Sequence, residues 1–512
     1  MPTHSHHHGS EMHHHHHHHH SHHGGHHKSS RRRSRFAGLT YVNYVLLVLY
    51  ALLAGITMYT MYAHQILAFR HLNVVYTIVL VAVFAVCLAL ALRKKKKVLT
   101  TSLLVIFSTI AAISLFAFKS LVDVAHNMNE TASYSEIEMS VVVPRNSTVT
   151  DVTELSSVQA PTGADGSNID TLLSHIKSDK GVDLATEKVA SYQEAYENLI
   201  NGSSKAMVFN SAYSSLLEMS YDNYESNLKT IYSYKIKQSI KDNEKASNSN
   251  VFNIYISGID TYGSISTVSR SDVNLILTVN MNTHKILLTE TPRDSYVKIP
   301  DGGANQYDKL THAGIYGVET SEKTLENLYG ITIGYYARLN FDSFMNLINS
   351  LGGVTVYNDQ EFTINLDTGN TYSFPVGNVD LTSGEQALAF VRERYDLKGG
   401  DYDRGNNQMK VIQAILNKMT SLKSVSNYST IISTVQDSIQ TNMKLDTMMK
   451  LVNAQLDSGK KFTVTSQEVT GTGSTGQLTS YAMPSSSLYM IQLDDASVAK
   501  ASQAIKDVME GK

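Results

Sequence analysis

Two aspartates and an arginine stand at the ends of alternating apolar runs, where a sheet would deliver them to one edge. In FNIYISGID, Phe252, Ile254 and Ile256 alternate with Asn253, Tyr255 and Ser257, which predicts a strand that ends near Gly258 and carries Asp260 into a loop. A second run starts just after Asp272, with Val273, Leu275, Leu277 and Val279 on one face. A third, Ile286 to Thr291, closes at Pro292 and Arg293. The connections are short, so the strands are expected to form a meander in which the first ends, the second begins and the third ends at the same edge. Asp260, Asp272 and Arg293 then meet, with Arg270 and Asp294 close by. Two carboxylates suit Mg2+, which keeps several waters and takes one or two acids plus substrate phosphates. The same acids also fit ordinary loop and strand-start positions, and spacing alone does not choose between these readings.

Further along, VRERYD and DYDRGNNQ concentrate guanidinium groups. Ser383 is placed to cap a short helix through Leu388, after which an extended VRER points Arg392 and Arg394 one way and Glu393 the other. Gly399 and Gly400 make a turn, and Asp401 or Asp403 can cap a helix running towards Lys423. Arg404 and Gln408, four residues apart, share a face of that helix with Ile412 or Val411, Ile415 and Met419. A cation in a first turn opposes the helix dipole. An anion there removes the conflict, and free amides at the helix start, together with Arg392, Arg394, Arg404 and Gln408, form a cradle for pyrophosphate. Two unit charges about 5 Å apart repel by roughly 3 kcal/mol at an effective dielectric near 20, so converging arginines want a multivalent partner. The competing reading is a solvated charged face paired with Glu393, Asp396 and Asp403.

The elements that hold these residues belong to the last part of the chain. Phe341, Phe344, Leu347, Ile348 and Leu351 follow helical spacing and stop at Gly352 and Gly353; the stripe reads first as core, and the same helix could line a lipid pocket. Before it, strands near Met139 to Val143 and Ala206 to Phe209 alternate with helices near Asn168 to Ser178 and Ser191 to Ile200, a small accessory α/β domain without a metal cluster, nucleophile motif or phosphate loop. The polar segment KDNEKASNSN, residues 241–250, reads as a linker.

Three apolar stretches precede all of this, approximately Tyr41 to Tyr62, Leu72 to Leu92 and Val98 to Phe118. Each is near the roughly 20 residues that cross ~30 Å of hydrocarbon as a helix. Basic residues lie before the first, Arg31 to Arg35, and between the second and third, Arg93 to Lys97. Positive-inside bias places the N-terminus in the cytoplasm and everything after Phe118 outside, in a multi-pass protein of the cell membrane. Topology explains the basic runs, so nucleic acid is not an expected partner. The one cysteine, Cys87, lies inside an apolar stretch and excludes an intramolecular disulfide. The histidine-rich start, His4 to His27, is a low-complexity tail, a tag or a metal-scavenging segment, and packs no core. The expected division is a cytoplasmic tail, residues 1–38, three membrane helices, 39–120, an accessory α/β domain, 121–246, and a catalytic domain, 247–512.

In order along the chain, SGIDTYG (257–263), SRSDVN (269–274), TPRDSYV (291–297), LGGV (351–354) and RERYDLKGGDYDRGNNQ (392–408) make the sequence resemble the LytR-CpsA-Psr family, and within it the streptococcal capsule-associated CpsA members. The three spans and the small domain look like the same subgroup, so the likeness covers nearly all the chain after the histidine-rich tail. The resemblance implies an α/β/α fold with a central mixed sheet, whose apolar cavity takes a polyprenyl tail and whose arginines and Mg2+ or Mn2+ hold a pyrophosphate. By motif position, Asp260 and Asp272 correspond to metal-site acids, and Arg270, Arg293, Arg392, Arg394, Arg404 and Gln408 to head-group contacts; Asp401 matches the acid that opens the last motif. Asp403 stands where glycine is common in the family and Asn407 where arginine is common, which bears on substrate preference more than on reaction type.

The implied activity is phosphotransfer of a polyprenyl-pyrophosphate-linked capsular or exopolysaccharide glycan onto peptidoglycan, with release of polyprenyl phosphate. Arg293 and Asp401 would be catalytic, Asp401 as a base or as the residue that orients Arg404, and Phe344, Leu347 and Ile348 would line the lipid pocket. Two other readings remain open: a hydrolase of polyprenyl pyrophosphate, and a membrane adaptor that regulates other capsule-synthesis proteins.

Overall fold

Apolar runs too long for strands form three helices, α1 (Ser30–Ala63), α2 (Leu72–Leu92) and α3 (Lys97–Ala132). In this computed structural model residues 30–241, 250–259, 264–423, 425–436 and 439–512 are described, and they fall into two units, one holding residues up to 56 with 77–113, the other 57–76 with 114–512. Three helical segments, Gly38–Ala63, Phe69–Leu92 and Lys97–Ala132, are long and apolar enough to cross a membrane. Within the first unit, side chains bond across the helices: Asn43 Nδ2 donates to Lys97 O (3.0 Å), Thr101 Oγ1 to Asn43 Oδ1 (2.6 Å) and Tyr50 OH to Leu80 O (2.8 Å).

The third helix does not stop where its apolar run does. Leu121, Ala125, Met128 and Ala132 are buried and recur every three or four residues, so the polar stretch after Phe118 is an amphipathic helix end, and the boundary expected at residue 120 falls inside α3. In the second unit the connector between α1 and α2 packs on the large lobe: Met61 and Ile66 share a buried cluster with Phe118, Leu121, Leu445 and Met449. Asn453 Nδ2 donates to Gln65 O (2.7 Å), and His64 Nδ1 lies 3.1 Å from Asp446 Oδ1.

The small lobe runs β1 (Tyr134–Pro144), β2 (Ser157–Ala160), α4 (Thr162–Lys180), β3 (Ala185–Lys188), α5 (Tyr192–Ile200), β4 (Met207–Asn210), α6 (Ser214–Ser220) and β5 (Leu228–Ser239). Its sheet has the order β3-β2-β4-β1-β5. Ser191 caps α5 by accepting from Glu194 N at 3.0 Å. The lobe's core also takes Val268, Ile315, Ala482 and Met483 from later in the chain, so the two lobes share one buried cluster.

The large lobe continues with β6 (Val251–Ile259), β7 (Ser271–Asn280), β8 (Lys285–Glu290), β9 (Tyr296–Ile299), β10 (Gln306–Lys309), α7 (Leu310–Ala313), α8 (Val318–Tyr329), β11 (Tyr335–Leu339) and α9 (Phe341–Ser350). Then come β12 (Val354–Asn358), β13 (Phe362–Asn365), β14 (Thr371–Phe374), β15 (Gly377–Leu381), α10 (Gly384–Arg392), α11 (Asp401–Thr420), α12 (Val425–Val435), β16 (Ile439–Thr441), α13 (Leu445–Ser458), β17 (Thr463–Glu468), β18 (Gly471–Thr475), β19 (Tyr489–Leu493) and α14 (Asp495–Met509). Its main sheet is mixed, in the order β16-β11-β6-β7-β8-β17, with β11 parallel to β6 and β17 parallel to β8.

Period-two alternation splits the two faces of this sheet. Tyr255, Ile276 and Leu287 pack with α7, α8 and α14, while Phe252, Leu277, Val279, Ile286 and Leu288 meet Ile412 and Leu416 of α11 and Met448 and Leu451 of α13. The result is the three-layer α/β/α arrangement with a central mixed sheet. β6, β8, β11 and β17 all end at the edge where β7 begins, and the candidate residues gather there.

Candidate functional site

The β6–β7–β8 meander is antiparallel throughout, with Ile259 opposite Ser271 and Leu275 opposite Glu290. Strand β7 starts two residues earlier than its alternation suggests, so Asp272 is in the strand, and β8 ends at Glu290. Arg293, three residues beyond, turns back to Asp272: Nη1 lies 2.9 Å from Asp272 Oδ1. Thr311 Oγ1 donates to the same oxygen at 3.0 Å. Burial alone would raise the Asp272 carboxyl, but the Arg293 and Arg270 guanidiniums outweigh it and hold the group below the ordinary carboxylate range. Asp260 lies outside the described residues.

The next residue repeats the arrangement. Asp294 Oδ1 pairs with Lys309 Nζ at 2.7 Å and lies 3.6 Å from Arg293 Nε. Burial pushes the Asp294 carboxyl up, and Lys309 with Arg293 brings it below its usual value. Lys309 and Thr311 belong to a buried segment that the sequence reading did not single out. No periodicity marks them, because their role arises only when α7 folds under the loop after β8.

The arginines of the later motif converge, by a different route from the one expected. Ser383 does cap α10, accepting from Gln386 N at 3.2 Å, but the helix extends to Arg392 instead of ending at Leu388. Arg392 is therefore the last helical residue, Glu393 is the extended C-cap, and Arg394 follows it. Arg392 lies over the Phe341 ring (4.4 Å) and Arg394 over the Tyr395 ring (4.5 Å).

Helix α11 begins as expected, but neither aspartate caps it; the N-cap is Gly400, at φ 55°, a left-handed conformation that favours glycine. Asp403 Oδ2 instead accepts from Gly399 N at 2.7 Å. The amides of Tyr402 and Arg404 are taken by Gly399 O and Gly400 O, so these two helix-start amides are not free for an anion. The acid that meets the arginines is Asp401, whose Oδ1 lies 3.2 Å from Arg404 Nη2 and 3.8 Å from Arg394 Nη1. Asp401 and Asp403 also place negative charge in the helix's first turn, where it suits the dipole.

Arg270, Arg293, Arg392, Arg394, Arg404 and Gln408 all line one cavity of about 400 Å³, together with Asp272. Much of the remaining wall is apolar: Ile256, Val273, Leu339, Phe341, Phe344 and Ile412 take part. Asp401 lines a smaller adjoining cavity with Asp272, Arg293, Arg404 and Gln408. Phe344 is on the large cavity's wall as expected. Leu347 and Ile348 are not; they sit in the core against Val354, Phe362 and Phe390, because the stripe of α9 turns away from the opening one turn after Phe344.

The smaller cavity exposes a group that sequence reasoning missed. Glu290, at the end of β8, is opposite Glu468 of β17, and its carboxyl lies against Gly405, where any Cβ would overlap it. Burial, and then the charge of Glu468, push the Glu290 carboxyl up to about 8, against the pull of Arg404. Among the described residues, no three histidine, cysteine or acidic side chains cluster in a metal-binding arrangement.

A model of the LytR_cpsA_psr family matches residues 209–497, more than half of the chain. The chain belongs to the LytR-CpsA-Psr family. The family segment begins inside β4 of the small lobe. A second model, for a DNA polymerase processivity factor, matches the shorter stretch 94–209, from just before α3 into β4. Curated relatives include a polyisoprenyl-teichoic acid–peptidoglycan teichoic acid transferase TagU of Enterococcus faecalis, 33% identical over 281 residues that cover 54% of this chain and 86% of the relative. The TagU of Bacillus mycoides is 35% identical over 208 residues, 40% of this chain and 65% of that protein. Among solved structures, B. subtilis TagV is similar over 51% of this chain and 98% of its own, at 24% identity and a TM-score of 0.44. The LytR-CpsA-Psr motifs TPRDSYV and RERYDLKGGDYDRGNNQ thus supply Arg293 and the four residues Arg392, Arg394, Arg404 and Gln408 of the same cavity wall.

Proposed function

We propose that the protein moves a capsular or exopolysaccharide glycan from a polyprenyl-pyrophosphate carrier onto peptidoglycan and releases polyprenyl phosphate. The observation that carries this reading is the convergence of five arginines and Gln408 on a cavity that is otherwise largely apolar. A diphosphate is the matching multivalent anion and an isoprenoid chain the matching apolar body. A lipid-linked glycan donor joins the two. The relatives named as teichoic acid–peptidoglycan transferases support glycopolymer transfer and the wall acceptor. The basic residues Arg93 to Lys97 between α2 and α3 support a cytoplasmic N-terminus with the catalytic unit outside.

In the transfer, a sugar hydroxyl of the acceptor attacks the phosphorus that bears the glycan. The new O–P bond forms as the bond to the bridging oxygen breaks, and polyprenyl phosphate departs with that oxygen. Arg293 and the α10–α11 arginines stabilise charge on the bridging and leaving oxygens. The contacts of Asp401 with Arg404 and Arg394 support an orienting role for it, and the hydroxyl proton leaves with the phosphate.

A Mg2+ or Mn2+ ion belongs to this reading because such an ion takes one or two carboxylates plus substrate phosphates, and Asp272, whose Oδ1 is held by Arg293 and Thr311, stands on the cavity wall. Asp272 and Asp260 would hold the ion, which when bound neutralises charge on the phosphate oxygens.

The test is the full chain in detergent with a polyprenyl-pyrophosphate-linked glycan, with and without peptidoglycan. Glycan on the wall polymer and polyprenyl phosphate in step with it are expected, and Arg293→Ala should abolish both. Equal release of lipid phosphate without acceptor would make the protein a hydrolase. A capsule phenotype untouched by Arg392→Ala and Arg394→Ala, but disturbed by substitution of Lys94 to Lys97, would make it an adaptor.

A further inference from the structure

Arg270 reaches the cavity from the loop between β6 and β7, and that loop is gripped from both sides. From beneath, the guanidinium of Arg338 on β11 donates to two of its carbonyls, Nη1 to Ile265 O and Nη2 to Thr267 O, both at 2.8 Å. Nη1 also donates to Gln440 Oε1 at 3.2 Å. Arg338 is buried, and among the described residues no carboxylate pairs with it. Burial draws its proton affinity down to about 10, so it remains a cation at neutral pH. A charge desolvated for the sake of neutral carbonyls is costly, and what it holds in place is the loop.

From the other side the small lobe takes hold through one residue. Glu136 of β1 donates its amide to Ser266 O (3.0 Å) and accepts from Val268 N (3.2 Å), and Glu136 pairs with Thr267 in a parallel bridge. Val268 is buried in the small lobe's core. Gly314 closes the third side: a Cβ there would overlap Ser269 O and Ser271 N. At the end of the loop, Arg270 Nη1 meets Met219 Sδ of α6 at 2.6 Å, and Met219 is itself a wall residue of the cavity.

We propose that Arg338 and the β1 edge of the small lobe form a clamp that positions Arg270 for a diphosphate head group, so that the small lobe is a working part of the donor site. Arg338 is thus a positioning residue acting through Arg270, and the inference rests on the diphosphate reading of the cavity given above. A loop released from Arg338 keeps its sequence and loses the one direction in which Arg270 meets the phosphates.

Two measurements on the full chain in detergent separate this clamp from the reading it rests on. Calorimetric binding of farnesyl pyrophosphate is compared for wild type, Arg270→Ala, Arg338→Met and the double variant. Each single change is expected to weaken binding about tenfold, the worth of one charge-assisted contact, and the double variant to bind no more weakly than Arg270→Ala. An additive loss of about a hundredfold, or full affinity in Arg338→Met, would overturn the clamp. Hydrogen exchange without ligand is expected to rise at amides 264–270 in Arg338→Met and in Glu136→Pro, which touches only the small lobe's side, while β7 and β8 stay protected. Unchanged exchange in either folded variant overturns the proposal. Wild type that fails to bind the diphosphate sinks the reading of the cavity, and with it the role assigned to Arg270, whatever exchange shows.

Discussion

Asp272 and Arg293 form an ion pair between the start of β7 and the turn that follows β8, with Nη1 and Oδ1 2.9 Å apart and side chains 14% and 12% exposed. A pair this enclosed is costly to break from one side, because the surviving charge keeps its desolvation and loses its partner, a loss of about 3 kcal/mol or more. Arg293→Ala should therefore lower stability at neutral pH as well as end transfer. The sign with pH follows from Asp272. Its folded pKa lies below the unfolded value, so in the wild type its contribution is present above that unfolded value and is lost as acid protonates it. Without Arg293, burial raises the group, and the deficit of the variant should shrink as pH falls towards 4. Thermal unfolding across that range is the check; a deficit independent of pH would remove Asp272 from the explanation.

Glu290 carries the opposite slope. Its folded pKa, pushed to about 8 by burial and then by Glu468, exceeds the usual carboxyl value, so the folded chain binds this proton more tightly than the unfolded one. Its contribution is whole in acid and disappears as pH rises through about 8. Glu290→Gln fixes the neutral form and should flatten the loss of melting temperature between pH 6 and 9, with the gain over wild type greatest at the alkaline end. Parallel melting curves for the two proteins over that range would count against it.

Gly405 tests the same contact from the helix. A methyl group there would overlap the Glu290 carboxyl and displace the first turn of α11, which carries Arg404. Overpacking of this kind costs about 1–3 kcal/mol. Gly405→Ala should weaken farnesyl pyrophosphate binding, and Glu290→Ala in the same chain should restore part of it by making room. Affinity equal to wild type in the single variant would show that the turn does not set Arg404.

The stripe on α9 divides into wall and core. Phe344 lines the cavity, whereas Ile348 is fully buried in the core cluster. Phe344→Trp should narrow the apolar wall and raise KM for a long isoprenoid donor several-fold more than for a short one, with little change in melting temperature. Ile348→Ala should cost about 2–5 kcal/mol of stability and leave the preference between chain lengths unchanged. Reversed outcomes would put Ile348 on the lipid path.

What could be read from the sequence was periodic or locally ordered. The meander followed from period-two alternation, and the shared edge of Asp272 and Arg293 from strand direction. Arg404 and Gln408 followed from a four-residue spacing. The convergence of Arg392 and Arg394 was legible but its cause was not: the apolar run Ala387 to Val391 keeps α10 going to Arg392, and the break at Glu393 turns the chain. A helical stripe could not say where Phe344 ends as wall and Leu347 begins as core, since that depends on where α10 and β12 pack against it. Lys309, Thr311, Met219 and Arg338 left no local trace. Each acts on a residue at least 15 positions away, through contacts that exist only in the folded chain.

The connector between α1 and α2 shields Leu445 and Met449 with Met61 and Ile66. Truncating the chain to secrete a water-soluble enzyme would strip away this cover and bare an oily patch on α13. Such a fragment should self-associate or bind detergent there, so an engineered version needs polar replacements at Leu445 and Met449 before its behaviour in solution can stand for that of the anchored protein.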